Sequence, residues 1–194
     1  MRLFVALEIP EETREALAAV IAQLERAYPS ARWVPPKAMH VTLKFIGNTS
    51  EEKLAAIRDE LSKVRSTEPV EIRFRGLGFF PNEKRPRVFW CGAEASPNAA
   101  ALAADMDRAL GPLGIKSEAR AFTPHLTLAR FKESRGDKKQ ANRIAEIAKS
   151  SHEMQAKDFG ALRTSEFHLF ESKTKPSGAE YTRLETFHFD EATF

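Results

Sequence analysis

His40-Val41-Thr42-Leu43 and His125-Leu126-Thr127-Leu128 give the same short pattern at two places in the chain. In each stretch the histidine and the threonine are two residues apart, and residues with that spacing project from the same face of a β-strand. The aliphatic residues between and after them then point to the opposite face, into a core. Each stretch therefore predicts a strand that is anchored on one side and presents an imidazole beside a hydroxyl on the other.

The two patterns belong to a longer unit that the chain uses twice. In each copy a strand rich in Phe and Val is followed by a helix with apolar residues at helical spacing, a loop and the His-x-Thr strand. The interval from Phe4 to His40 equals the interval from Phe89 to His125. Another helix and more strand-like sequence follow each pattern. The repetition predicts two similar halves that contain both helices and strands.

We expect an α+β fold with two similar lobes related by a pseudo-two-fold axis. Each lobe is predicted to be a small antiparallel or mixed sheet flanked by helices, with the active-site cleft between the lobes. The chain, 1–194, is predicted to be one bilobal domain with approximate lobes 1–80 and 87–194, which leaves room for strands to exchange between the sheets. The segment Pro81-Asn82-Glu83-Lys84-Arg85-Pro86 is predicted to connect the lobes.

The composition is that of a globular protein and narrows the setting in which it works. Hydrophobic residues make up 42% of the 194 residues and charged residues 29%, values that allow a substantial core. The net charge of +3 suits an anionic ligand without demonstrating one. The single cysteine, Cys91, fits a reducing cytoplasmic setting, and we see neither a signal peptide nor an apolar stretch of membrane-spanning length. We therefore predict a cytoplasmic protein with no membrane partner.

Two imidazoles and two hydroxyls brought face to face suit the hydrolysis of a phosphodiester. The attacking water must lose a proton and the leaving oxygen must gain one, and imidazole titrates near neutral pH, so His40 and His125 can serve as a base and an acid. Thr42 and Thr127 can bind the phosphoryl oxygens and stabilise charge in the transition state. The chemistry requires no metal ion, and the sequence predicts none.

Two cationic side chains follow the motifs and are candidates for the phosphate as well. Arg130 offers a planar fork of donors that suits a phosphate, but strict alternation puts it on the face opposite His125 unless a bulge or the strand end intervenes. Lys44 has the right parity with His40, but it could be only a solvated edge residue. We therefore rank Lys44 below Arg130.

Several stretches of the sequence resemble one known family. They are Arg2-Leu3-Phe4-Val5-Ala6-Leu7, His40-Val41-Thr42-Leu43-Lys44-Phe45-Ile46-Gly47, Phe122-Thr123-Pro124-His125-Leu126-Thr127-Leu128-Ala129-Arg130, Leu169-Phe170-Glu171-Ser172 and Gly178-Ala179-Glu180-Tyr181. Over essentially its whole length the chain resembles the 2H phosphoesterase superfamily, and within it the RNA 2′,3′-cyclic phosphodiesterase family, also called the 2′-5′ RNA ligase family. No position of either His-x-Thr pattern departs from the family.

The resemblance implies an enzyme, an RNA 2′,3′-cyclic phosphodiesterase that opens the cyclic phosphate at an RNA end to a 2′-phosphomonoester, with no cofactor. Family members also join tRNA halves through 2′-5′ linkages, reversibly and without ATP. We assign His40 as proton donor and His125 as proton acceptor, although the motifs are nearly symmetric and the sequence does not break the tie. The resemblance also favours a base contact near the first motif, for which Phe45 is the candidate, while alternation alone would equally place Phe45 in the core.

The expected partner is RNA with a 2′,3′-cyclic phosphate end, tRNA halves among them, and a monomer suffices because the repeat completes its own groove. Three other interpretations stay open. The first is a metal hydrolase, for which the sequence offers no His-Glu-x-x-His pattern or close carboxylate cluster. The second is a non-catalytic module that binds RNA ends. The third is a cyclic phosphodiesterase that acts on a small nucleotide or on an ADP-ribose cyclic phosphate.

Overall fold

A computed structural model describes residues 1–132, 138–175 and 178–189 of the chain. Within these residues there are four α-helices, Glu11–Ala27 (α1), Leu54–Leu61 (α2), Pro97–Leu110 (α3) and Lys138–Glu153 (α4). The strands are Arg2–Glu8 (β1), Arg32–Trp33 (β2), His40–Asn48 (β3), Val70–Phe80 (β4), Val88–Ala95 (β5), His125–Arg130 (β6), Asp158–Thr164 (β7), Glu166–Lys175 (β8) and Gly178–His188 (β9). The predicted α+β class is confirmed.

The strands form one curled sheet rather than two separate ones. Their order is β7-β4-β5-β6-β3-β1-β8-β9, and the short β2 pairs with β6. All the pairings among the described strands are antiparallel, so the sheet is not mixed. At its centre β3 meets β6 through a single Cα pair, Val41 with Leu126. The two His-x-Thr strands are therefore direct neighbours.

Each side of this central junction contains strands from both halves of the sequence. β4 lies between β5 and β7, and β8 pairs with β1. The prediction that 81–86 connects two lobes is wrong. Phe80 and Val88 are paired residues of β4 and β5, so the segment is the turn of a β-hairpin on one side of the sheet. The sequence of the first half reads as two strand-like pieces after α2, at 70–74 and 79–80, but the structure joins them into one continuous strand, β4.

The helices cover one face of the sheet and form the main core with it. In α1, the buried residues Leu17, Val20, Ile21 and Leu24 recur at helical spacing, and Glu11 and Glu12 lie in the first turn, where the helix dipole favours acids. These side chains share one cluster with the buried aliphatic residues of the two motifs, Val41, Leu43, Leu126 and Leu128. The motif strands are thereby anchored from behind, as their alternation predicts.

No helix in the described ranges is long and apolar enough to cross a bilayer.

Candidate active site

The other face of the sheet carries the polar residues of both motifs, and we call it the histidine face. The pairing of Val41 with Leu126 sets the antiparallel register of β3 and β6. Each histidine then lies opposite the threonine of the other motif, where side chains on adjacent strands are about 4.5–5.5 Å apart at Cβ. The pairs are His40 with Thr127 and Thr42 with His125, and all four residues are half-buried. The structure thus brings together the four residues that the motifs predict.

Both imidazoles are oriented by the same local hydrogen bond. His40 Nδ1 donates to the carbonyl oxygen of Ala38 at 2.9 Å, and His125 Nδ1 donates to the carbonyl oxygen of Thr123 at 2.8 Å. A carbonyl oxygen can only accept, so the proton of each neutral ring lies on Nδ1. The lone pair is then on Nε2, the nitrogen that can exchange a proton with a ligand.

The surroundings of both histidines favour the neutral ring. The pKa of His40 is lowered to about 4, mainly by burial and also by the charges of Arg130 and His125, against the opposing effect of the Ala38 carbonyl. Burial also lowers the pKa of His125, again with a contribution from Arg130. Near pH 7 the free protein therefore holds two neutral imidazoles beside a guanidinium. A bound anion would favour protonation of one of them.

A β-bulge in each motif strand brings a fifth and a sixth residue to the histidine face. In β3 the pairing with β1 skips Leu43, and in β6 the pairing with β5 skips Leu128. An extra residue reverses the alternation beyond it. Phe45 and Arg130, each five residues after its histidine, therefore lie on the same face as the histidines. Phe45 is 56% exposed, and the charge of Arg130 acts on both imidazoles.

The first bulge has the opposite consequence for Lys44. Its side chain is 5% exposed and lies among the helices rather than on the histidine face. The ammonium forms an ion pair with Asp107 of α3 and donates to the carbonyl oxygen of Lys116 at 2.7 Å. Lys44 is thus neither a solvated edge residue nor a candidate phosphate ligand.

Aromatic rings surround each imidazole, and sequence reasoning missed them. The Phe4 ring centroid lies 4.6 Å from that of His40, and the Tyr181 centroid lies 5.1 Å away with its edge toward the ring. Phe80 lies edge-on to His125 at 5.1 Å and also contacts Trp90 at 5.1 Å. Phe4 and Tyr181 both lie in stretches that resemble the family, so a weak signal for each was present in the sequence.

Phe4 and Phe89 are not structural equivalents, although their intervals to the two histidines agree. Glu8 pairs with His40, and Gly92 pairs with His125, so Glu8 and Gly92 are the equivalent residues of β1 and β5. Phe4 lies four residues before Glu8, whereas Phe89 lies three residues before Gly92. The two phenylalanines are therefore one residue out of step and face opposite ways. Phe4 consequently lies on the histidine face, whereas Phe89 is buried in the main core.

Within the described residues, no group of three or more His, Cys, Asp or Glu side chains is placed to hold a metal ion.

Comparison with known proteins identifies the family. The model of the LigT-like phosphoesterases matches residues 7–90 and 92–181, one match for each half of the chain. The chain belongs to this family of phosphoesterases. The family predicted from the two His-x-Thr patterns and the other family-like stretches is confirmed.

Particular relatives cover nearly the full length of the chain. The RNA 2′,3′-cyclic phosphodiesterase of Methanothermobacter thermautotrophicus is 34% identical over 188 residues, which cover 96% of this chain and 98% of that protein. The crystal structure of TT0787 of Thermus thermophilus superposes with a TM-score of 0.78 at 32% identity and covers 99% of this chain and 100% of that one. The crystal structure of E. coli LigT complexed with 3′-AMP gives a TM-score of 0.74 at 25% identity over 98% of both chains.

Proposed function

We propose that the protein is an RNA 2′,3′-cyclic phosphodiesterase that opens the cyclic phosphate to a 2′-phosphomonoester. The observation that carries the proposal is the pair of imidazoles on the histidine face, each with Nδ1 bound to a backbone carbonyl and Nε2 left for a ligand. The name of the M. thermautotrophicus relative, and the identity over nearly its whole length, support the same activity. The histidine face between the two repeats is then the substrate cleft.

The proposed reaction needs one proton acceptor and one proton donor. His125 Nε2 takes a proton from water, and the water oxygen forms a bond to phosphorus. The bond from phosphorus to O3′ breaks, and His40 Nε2 gives its proton to O3′, which leaves the phosphate on O2′. A pKa of about 4 makes protonated His40 a strong acid, and the anionic substrate favours its protonation as it binds. Exchange with solvent returns both rings to their starting states.

Three polar side chains are proposed to hold the phosphoryl oxygens. Thr42 and Thr127 lie opposite the two histidines, and Arg130 lies close enough to both rings for its charge to lower their pKa values. Donors aimed at the oxygens where negative charge develops stabilise the transition state. The exposed ring of Phe45 is proposed to stack on the terminal base, a contact typically worth about 1–3 kcal/mol. Replacing Phe45 with Ala should then raise KM more than it lowers kcat.

The same geometry would serve 2′-5′ ligation. If the 5′-hydroxyl of a second RNA takes the place of water, the bond to O5′ forms as the bond to O3′ breaks, and no ATP is needed. Halves of a cut tRNA carry the required ends. We propose that residues 1–194 act in this way as one bilobal unit and as a monomer, in the reducing cytoplasm that the buried thiol of Cys91 suits.

The test is an RNA oligonucleotide that ends in a 2′,3′-cyclic phosphate, incubated with the protein in EDTA. We expect a 2′-phosphate product that is lost with His40→Ala and with His125→Ala but kept with His188→Ala, which removes an exposed histidine of β9. Binding without turnover by the wild-type protein would favour the non-catalytic module. Turnover of small cyclic nucleotides alone would favour the small-nucleotide enzyme, and turnover abolished by EDTA would contradict the metal-free mechanism.

The assignment of donor and acceptor has a separate test. A substrate with sulfur in place of O3′ releases a thiolate, which leaves readily without a proton. The assignment predicts that this substrate restores much of the rate of the His40→Ala variant and none of the rate of His125→Ala. Rescue of His125→Ala instead would reverse the two roles and leave the rest of the mechanism intact.

A further inference from the structure

The histidine face extends past the two motifs into a group of cationic side chains. The first member besides Arg130 is Arg32 of β2, whose Cα pairs with that of Arg130. The next residue of β2, Trp33, turns toward the core, where its ring meets Phe89 edge-on and its Nε1 donates to the carbonyl oxygen of Tyr28 at 2.9 Å. Since neighbouring residues of a strand face opposite ways, Arg32 lies on the histidine face beside Arg130. Its side chain is exposed.

The second member is Lys132, which follows the end of β6. The chain continues beside β5 there, because the amide of Phe131 donates to the carbonyl oxygen of Arg87 at 3.0 Å. Phe131 is buried in the core, so Arg130 and Lys132 on either side of it project to the histidine face, and both are exposed. Two residues along an extended chain span about 6.6 Å. Arg32 thus lies beside Arg130 on the neighbouring strand, and Lys132 follows Arg130 along the chain; we call these three neighbouring cations the cationic strip.

No carboxylate within the described ranges forms an ion pair with any member of the cationic strip. Some exposed cations elsewhere are paired with near neighbours, as Arg108 is with Asp105 and Lys63 is with Glu60. Unneutralised charges of one sign in a row attract an anion with several charges. A single-stranded nucleic acid is such an anion, because each internucleotide phosphate carries one negative charge.

We propose that the cationic strip binds the phosphates that precede the cyclic end of the RNA. Arg130 would serve the cyclic phosphate, while Arg32 and Lys132, farther from the histidines, contact the phosphates on the 5′ side. Arg32 and Lys132 would then be the residues that make the site prefer an oligoribonucleotide to a cyclic mononucleotide with the same cyclic end. This inference rests on the proposed function and concerns the substrate of the same site.

The test compares three substrates that share one cyclic end: a cyclic mononucleotide, an oligoribonucleotide, and the same oligoribonucleotide with neutral methylphosphonate linkages next to the terminal nucleotide. For the wild-type protein at low salt, we expect kcat/KM to be about 10-fold or more higher for the charged oligonucleotide than for the other two. The variant R32Q/K132Q should lose this preference and keep kcat/KM for the mononucleotide. Its salt dependence should weaken by about 0.7 in log–log slope for each lost phosphate contact.

The matched control is K63Q/R108Q, which removes the same net charge from exposed positions near α2 and α3 on the helical side of the sheet. It should leave the preference for the oligonucleotide intact. Equal kcat/KM for all three substrates with the wild-type protein would overturn the inference but not the proposed function. An equal loss in R32Q/K132Q and in the control would also overturn it. Turnover of none of the substrates would overturn the proposed function, and the inference with it.

Discussion

The buried ion pair between Lys44 and Asp107 predicts unequal effects of removing its two partners. Lys44 is 5% exposed, whereas the side chain of Asp107 is 23% exposed and also accepts a hydrogen bond from the amide of Glu118 at 3.1 Å. Asp107→Ala leaves a buried ammonium with only the carbonyl oxygen of Lys116. Removing one partner of a buried pair typically costs about 3–5 kcal/mol, and because that carbonyl remains we expect about 3 kcal/mol.

Lys44→Met should cost less, because it removes the buried charge and keeps the volume of the stem. Asp107 can then be solvated, and the main loss is the hydrogen bond to the carbonyl of Lys116, about 1–2 kcal/mol. The double variant K44M/D107A should cost about 1–2 kcal/mol less than the sum of the single changes, since it leaves no unpaired charge in the core. Urea unfolding measures all three free energies. Additive effects, or a larger loss in Lys44→Met than in Asp107→Ala, would refute this reasoning.

Three further predictions concern the titration of the histidines. The pKa values of His40 and His125 both lie below the ordinary 6.5, so the protonated donor becomes rarer as pH rises. We therefore expect kcat/KM for a cyclic RNA end to fall about 10-fold per pH unit between pH 7 and 8.5. A flat pH profile would contradict this. The low pKa of His40 contributes stability that is fully present above pH 6.5 and is lost as pH falls toward 4, up to about 3 kcal/mol. His40→Asn should flatten that part of the unfolding free energy measured against pH, and equal slopes in variant and wild type would exclude the effect. Arg130→Gln should raise the pKa of both histidines in an NMR titration of the imidazoles, and unchanged midpoints would show that Arg130 does not act on them.

The alternation within each motif could be predicted from the sequence because it depends only on the geometry of an extended chain. Val41 and Leu126 are buried, and the histidines and threonines lie together on the opposite face, as the two-residue period requires. The helical spacing in α1 is equally local. Together with the family-specific stretches, these patterns were enough to identify the class of protein and to predict that His40, Thr42, His125 and Thr127 lie on one face.

The positions beyond each motif could not be predicted in the same way, because a bulge depends on the partner strand. A strict two-residue period places Arg130 on the core face and Lys44 on the histidine face. The bulge at Leu128 instead brings Arg130 to the histidine face, and the bulge at Leu43 turns Lys44 toward the helices. Sequence reasoning foresaw that Arg130 would need such a bulge. It had no means to locate the buried partner of Lys44, since Asp107 lies on a helix far away in the sequence.

Local patterns also could not predict that β4 and β8 pair with strands from the other half of the sequence. A β-rich stretch shows that a strand forms but does not name its neighbour. Gly76 and Gly78 separate two strand-like pieces of the sequence, yet both glycines lie within β4. Gly76 has φ +69° at a register shift, and a Cβ at Gly78 would collide with the indole ring of Trp90. The glycines thus allow β4 to continue beside β5 and let Trp90 lie flat across it, next to Phe80 on the histidine face.

The proposed mechanism requires that His40 and His125 act together on one phosphodiester. Its most direct test is kcat/KM for an RNA with a 2′,3′-cyclic end, measured for the wild-type protein, for His40→Ala, for His125→Ala and for the double variant. Each single change should lower kcat/KM by about 10²–10⁴-fold. The double variant should lose little more than the worse single variant, because residues that act as a unit are not additive. Losses that multiply in the double variant, or a single variant with wild-type turnover, would contradict the account.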